Sequence, residues 1–100
     1  MEFLYNFYQN IFFVNRSLAT MDLELTKFNN LRTLKLCNNR IRTIQNMPPN
    51  IVELFLNSNQ VKNINPRCKS DTLQYLGLGF NQVNDSCLGS VLPLLLVYLF

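Results

Sequence analysis

The sequence has no histidine and no tryptophan, and only three glycines, four prolines and three cysteines in 100 residues. Without histidine there is no His-based catalytic triad and no mixed Cys/His zinc site. Cys37, Cys68 and Cys87 form no CxxC pair and are odd in number, which argues against a disulfide framework. A reduced, intracellular setting is the economical reading. Charge is scarce too. Charged residues make up 15%, nine Lys and Arg against six Asp and Glu, for a net charge of +3. That excess is too small for the counterion displacement that DNA binding requires, and it counts against RNA as well.

Long apolar runs are also missing. Near the N-terminus Glu2 stands where a secretory signal needs a basic residue, and Asn6, Gln9 and Asn10 interrupt the apolar stretch. The sequons Asn15-Arg16-Ser17 and Asn84-Asp85-Ser86 therefore read as coincidence. The run Val91-Leu92-Pro93-Leu94-Leu95-Leu96-Val97-Tyr98-Leu99-Phe100 is shorter than the ~20 residues that span a bilayer core. Its length disfavours a membrane, and a module tethered by this tail is the alternative reading. What the chain does have is core material: 48% hydrophobic and 12% aromatic residues, the composition of a packed chain.

That material is periodic. Leu31-x-x-Leu34-x-Leu36-x-x-Asn39-x-Ile41-x-x-Ile44 recurs as Ile51-x-x-Leu54-x-Leu56-x-x-Asn59-x-Val61-x-x-Ile64. A third copy reads Leu73-x-x-Leu76-x-Leu78-x-x-Asn81-x-Val83. Weaker copies flank these. Tyr8, Ile11, Phe13, Leu18 and Met21 fill the apolar slots of the first, with Arg16 in place of Asn; Leu94, Val97 and Leu99 begin the last. Starts at 8, 31, 51, 73 and 94 give spacings of 23, 20, 22 and 21 residues.

This is the leucine-rich repeat pattern. It predicts an α/β solenoid, with a short-stranded parallel sheet, little helix on the convex side, and one domain over residues 1–100. In each copy alternate strand side chains point inward, so Leu34, Leu54 and Leu76 should stack. The Asn ends the strand and should bond backbone groups of adjacent turns. Asp22 should start a short helical turn, whereas Met47-Pro48-Pro49-Asn50 should be extended or 3₁₀. Pro66-Arg67-Cys68-Lys69-Ser70-Asp71 should be a polar loop or single turn.

At these residues the chain resembles the short-repeat, intracellular leucine-rich repeat proteins, over roughly residues 14–85. Met21-Asp22-x-Glu24-Leu25-x-Lys27-Phe28, Pro48-Pro49 and Leu76-Gly77-Leu78-Gly79-Phe80-Asn81 carry the resemblance. It implies a cytoplasmic scaffold or adaptor, linked to cilia or the cytoskeleton, with no catalytic residue. The chain departs from such proteins in being much shorter, with no later repeats and no recognisable C-terminal cap. It therefore reads as a truncated form that self-associates through its open apolar end.

No chemistry is legible. Among the carboxylates only Glu53 falls on the strand face, so no acid–base pair converges there. Cys37 lies beside Lys35 but has no histidine partner. Gly77-Leu78-Gly79 lacks the third glycine and the helix of a dinucleotide loop. No catalytic, cofactor or metal-binding residue is expected, and the chain reads as a non-enzyme. The outward strand slots are more informative: Asn10, Phe12 and Val14; Thr33, Lys35 and Cys37; Glu53, Phe55 and Asn57; Tyr75, Gly77 and Gly79; Leu96, Tyr98 and Phe100. They place aromatics on one face, and Lys35, Glu53, Phe55 and Tyr75 are the expected protein-binding residues. Arg32, Lys35, Arg40 and Arg42 form a basic group in the first full repeat that would steer an acidic partner. An RNA-binding surface is the rival reading, because basic residues alternate with aromatics.

Overall fold

A strand of three residues forms in each of the first four repeat copies and stops before the chain turns into the Asn slot, which Arg16 fills in the first copy. The computed structural model describes residues 2–65, 68, 70–83, 97 and 98. The helix α1 (Glu2–Phe7) precedes β1 (Asn10–Phe12), and a 3₁₀ turn (Leu23–Lys27) leads to β2 (Thr33–Lys35). Next come β3 (Thr43–Ile44), β4 (Glu53–Phe55), β5 (Asn63–Ile64), β6 (Tyr75–Gly77) and β7 (Val97–Tyr98). Five strands make a parallel sheet in the order β1-β2-β4-β6-β7, and β3 pairs with β5 in a second, two-stranded parallel sheet. The fold is thus parallel β with little helix, compatible with a leucine-rich repeat α/β fold.

The register places one repeat slot beside its counterpart in the next. Ile11, Leu34, Leu54, Leu76 and Val97 are successive partners across the large sheet. Leu34, Leu54 and Leu76 are buried, as are Leu36, Leu56 and Leu78, and Leu31, Ile51 and Leu73 behind the strands. Ile41, Val61 and Ile44 close the same core. Burying a side chain of this size contributes about 1.5–3 kcal/mol, so the stacked aliphatics are the main force holding successive repeats together.

The Asn slots supply the polar half of the stack. Asn39 Nδ2 donates to Leu36 O at 2.8 Å and Phe13 O at 2.7 Å, while its Oδ1 accepts from Arg16 N at 2.9 Å and Leu18 N at 3.1 Å. Asn59 Nδ2 donates to Leu36 O and Leu56 O, and its Oδ1 accepts from Ile41 N. Asn81 repeats this with Leu56 O, Leu78 O and Val61 N. Each amide therefore joins its own repeat to the preceding one. It satisfies backbone groups that the turn takes out of the sheet ladder.

Just before each slot the backbone is left-handed: Asn15, Asn38, Ser58 and Phe80 have φ of 60°, 57°, 59° and 59°. Asn tolerates this region through its short polar side chain, but a bulky side chain there costs about 1–2 kcal/mol. Phe80 is also 84% exposed, so little packing offsets the strain. Phe80→Asn, copying Asn38, should raise the unfolding free energy by about 1 kcal/mol in a urea titration. A loss of stability would show that the ring packs in solution.

The return segments differ, as expected. Asp22 caps the 3₁₀ turn by accepting from Glu24 N at 2.9 Å. Helix α1 docks on that turn: Tyr5 Oη donates to Glu24 Oε2 at 2.6 Å, Lys27 Nζ to Glu24 Oε1 at 3.1 Å, and Tyr5 meets Phe28 edge to face. The Tyr5 hydrogen bond, with Lys27, holds the Glu24 carboxyl below its ordinary pKa, and Glu24 raises Lys27. This contact is thus lost as pH falls through the lowered Glu24 value or rises through the raised Lys27 value. Pro48 is buried in the extended return of the next coil. In the following one Cys68 is half-buried, and burial pushes its thiol pKa up.

Three expectations need correction or lie elsewhere. Tyr8 and Phe13, assigned to inward slots of the first copy, are 41% and 43% exposed; Ile11, Leu18 and Met21 pack inward as expected. Asn10–Phe12, not residues 8–13 as a whole, forms the strand, so alternation places Ile11 inward and its neighbours outward. Apart from the strand Val97–Tyr98, the apolar tail and its self-association lie outside the described residues, as do Cys87 and Asn84-Asp85-Ser86.

Candidate protein-interaction face

The outward side chains of the large sheet fall into two rows. Asn10, Thr33, Glu53 and Tyr75 are register partners in one, and Phe12, Lys35, Phe55 and Gly77 in the other. Strands about 4.8 Å apart bring the side chains in a row into contact. Lys35 Nζ lies 5.0 Å from the Phe12 ring centroid and 5.0 Å from that of Phe55, so the ammonium sits between two aromatic faces. Each such contact stabilises by about 0.5–1 kcal/mol at an exposed site. Phe55 and Tyr75 meet with ring centroids 4.6 Å apart and planes tilted by 38°. Thr33 Oγ1 donates to Glu53 Oε1 at 2.9 Å.

Lys35, Glu53, Phe55 and Tyr75 are thus brought together, all half-buried, and Phe12 joins them as an exposed aromatic. Gly77 and Gly79 are buried rather than outward-facing surface. A Cβ on Gly77 would lie 2.5 Å from Asn57 Oδ1 and 3.2 Å from Tyr75 Cε1, so the missing side chain is what lets Tyr75 lean across the row towards Phe55. Cys37 is a half-buried thiol in this region. Val14 and Asn10 are exposed at its margin.

The basic group read from the first full repeat does not form one patch. Lys35 is on the sheet face; Arg32 lines a groove at the N-terminal edge of the strands with Gln9, Asn50 and Asp71. Arg40 and Arg42 line another groove past the Asn slots, with Gln45 and Gln60. The cause is local: strand, left-handed turn and β3 each send their side chains in a different direction. Sequence reasoning missed this partition and the exposed Phe80. Its signal was present, since Phe80 occupies the place of Asn38 and Ser58.

Among the described residues no group of three or more His, Cys, Asp or Glu side chains is arranged to hold a metal ion. No helix there is long and apolar enough to cross a membrane.

No family model matches the chain. Among curated proteins, leucine-rich repeat-containing protein 43 of Mus musculus is 33% identical over 85 residues, covering 81% of this chain. The Homo sapiens protein of the same name is 31% identical over the same length. The matched stretch is 13% of each relative, so the chain corresponds to a small part of those proteins. The leucines and asparagines that build the stack agree with those names: over most of its length this chain resembles leucine-rich repeat-containing protein 43.

Proposed function

We propose that the chain is a protein–protein interaction module: one leucine-rich repeat solenoid domain, acting in a scaffold or adaptor and catalysing no reaction. Its partner lies on the concave strand face, against Lys35, Glu53, Phe55 and Tyr75. The observation that carries this reading is the aromatic and cationic row Phe12–Lys35–Phe55, with Tyr75 leaning on Phe55. These side chains offer large, rigid contact area at low entropic cost, and Tyr and Phe are enriched at the centres of interfaces. Lys35 is already sandwiched, so less of its freedom is lost when a partner docks. A cytoplasmic location, ciliary or cytoskeleton-associated, belongs to the same proposal; the resemblance and the unpaired thiols of Cys37 and Cys68 support it.

The test is Phe55→Ala with Tyr75→Ala. Neither ring belongs to the buried core, so circular dichroism should be unchanged. Affinity for a captured partner should fall by about 2 kcal/mol or more, roughly thirtyfold. Undiminished capture would move the site off the sheet face. A collapsed spectrum would make the rings structural.

A further inference from the structure

We propose that Lys35 determines which partner the strand face accepts: a polypeptide segment with a carboxylate set between apolar side chains. This rests on the reading of that face as the docking surface and names the chemistry that fits it. The Lys35 ammonium lies 5.0 Å from the ring centroids of both Phe12 and Phe55. It carries three N–H donors, and a ring attracts an ammonium through its quadrupole without supplying an oxygen acceptor. Lys27–Glu24 is the one ion pair among the described residues, so the rings hold the Lys35 charge in place without neutralising it.

Glu53 stands diagonal to Lys35 on the next strand, because Thr33 pairs with Glu53 and Lys35 with Phe55. Its carboxylate accepts from Thr33 Oγ1 at 2.9 Å, along its own row. The strands β1, β2 and β4 therefore present a cation flanked by two rings.

An ion pair fully open to water is worth little, because solvent and salt screen it. At Lys35 the surroundings favour a stronger one. The two rings already displace part of the ammonium's water and restrict the lysine's rotamers. Docking a carboxylate there costs less desolvation and less side-chain entropy. Apolar side chains beside that carboxylate would cover Phe55 and Phe12, which is 57% exposed, and keep water from the pair. A nucleotide fits less well. Phe55 is flanked by Lys35 and by Tyr75, with ring centroids 4.6 Å apart, so a base could stack on it only by displacing one of them.

The test uses the full chain and a phage-displayed library of random twelve-residue peptides. Peptides captured by the chain, but not by Phe55→Ala with Tyr75→Ala, are those that bind the strand face. They should be enriched in Asp or Glu with an apolar residue on each side. The most enriched peptide is then synthesised with a fluorescein label and titrated by anisotropy. Lys35→Gln should weaken its binding about tenfold or more, whereas Lys35→Arg, which keeps the charge and stacks on rings, should cost less than about threefold. Arg40→Gln removes the same charge in the groove past the Asn slots and should cost less than about twofold. Replacing the peptide's acid by its amide should cost about tenfold on the unaltered chain but less than about twofold on Lys35→Gln. A purely structural role of Lys35 would not produce that coupling. Circular dichroism of each variant checks the fold.

Strand-face peptides without an acid, or an acid whose loss costs the same with and without Lys35, would overturn this inference and leave the strand-face reading standing. Peptides captured equally by the Phe55→Ala, Tyr75→Ala variant, or a library that yields no binder, would overturn both. So would a ten-residue oligouridylate that binds more tightly than the peptide and is lost in Lys35→Gln.

Discussion

Leu54→Ala is expected to lower the unfolding free energy by about 4 kcal/mol, within the range of large-to-small substitutions at fully buried sites. Leu54 is 0% exposed and occupies the middle of the sheet, with Leu34 as its register partner on one side and Leu76 on the other. The cavity would lie between two paired strands that the ladder holds apart at about 4.8 Å, so the walls cannot close on it. Domains of this size are stable by only about 5–15 kcal/mol, and the variant should show a large drop in urea midpoint with little change in slope. A loss below about 1 kcal/mol would mean that the leucine stack is not the core.

Asn59→Ala should cost nearly as much, about 3 kcal/mol. Asn59 is 8% exposed, and its side chain serves Ile41 N–H, Leu36 O and Leu56 O at 3.0, 2.9 and 3.0 Å. Alanine removes the partners and leaves these groups where water reaches them poorly; each stranded group costs about 1–3 kcal/mol, reduced where the turn relaxes. Asn81 makes the same bonds but is only half-buried, so Asn81→Ala should cost distinctly less. The ordering matters more than either value. Equal effects at the two positions, or an Asn59 effect within the error of the titration, would contradict the ladder.

The strands were legible because their signals are redundant. A leucine every two residues, an Asn three residues after the last one, and a return of similar length define the frame three times over. The bonding of Asn39, Asn59 and Asn81 followed from that frame, because an amide at a strand end has backbone groups to satisfy. The second sheet was not legible. Thr43–Ile44 and Asn63–Ile64 are two residues each, too short for alternation to show. The first coil misled for a related reason. Tyr8 and Phe13 are apolar and nearly in frame, but hydropathy alone does not say which side of a three-residue strand they take. At the candidate face, the grouping of Lys35, Glu53, Phe55 and Tyr75 came from strand alternation. The lean of Tyr75 over Gly77 did not, because it depends on a side chain's path across a neighbouring residue. The division of the four basic residues among three surfaces needed the backbone directions of strand, turn and β3.

The central claim is that the strand face meets the partner, and site-specific photo-crosslinking tests it most directly. A benzophenone amino acid is placed at position 12 or 55 on that face, and at position 23 on the 3₁₀ turn, where Leu23 is exposed. The account predicts the same partner adduct from positions 12 and 55, and none from position 23. An adduct from position 23 with none from 12 and 55 would contradict it.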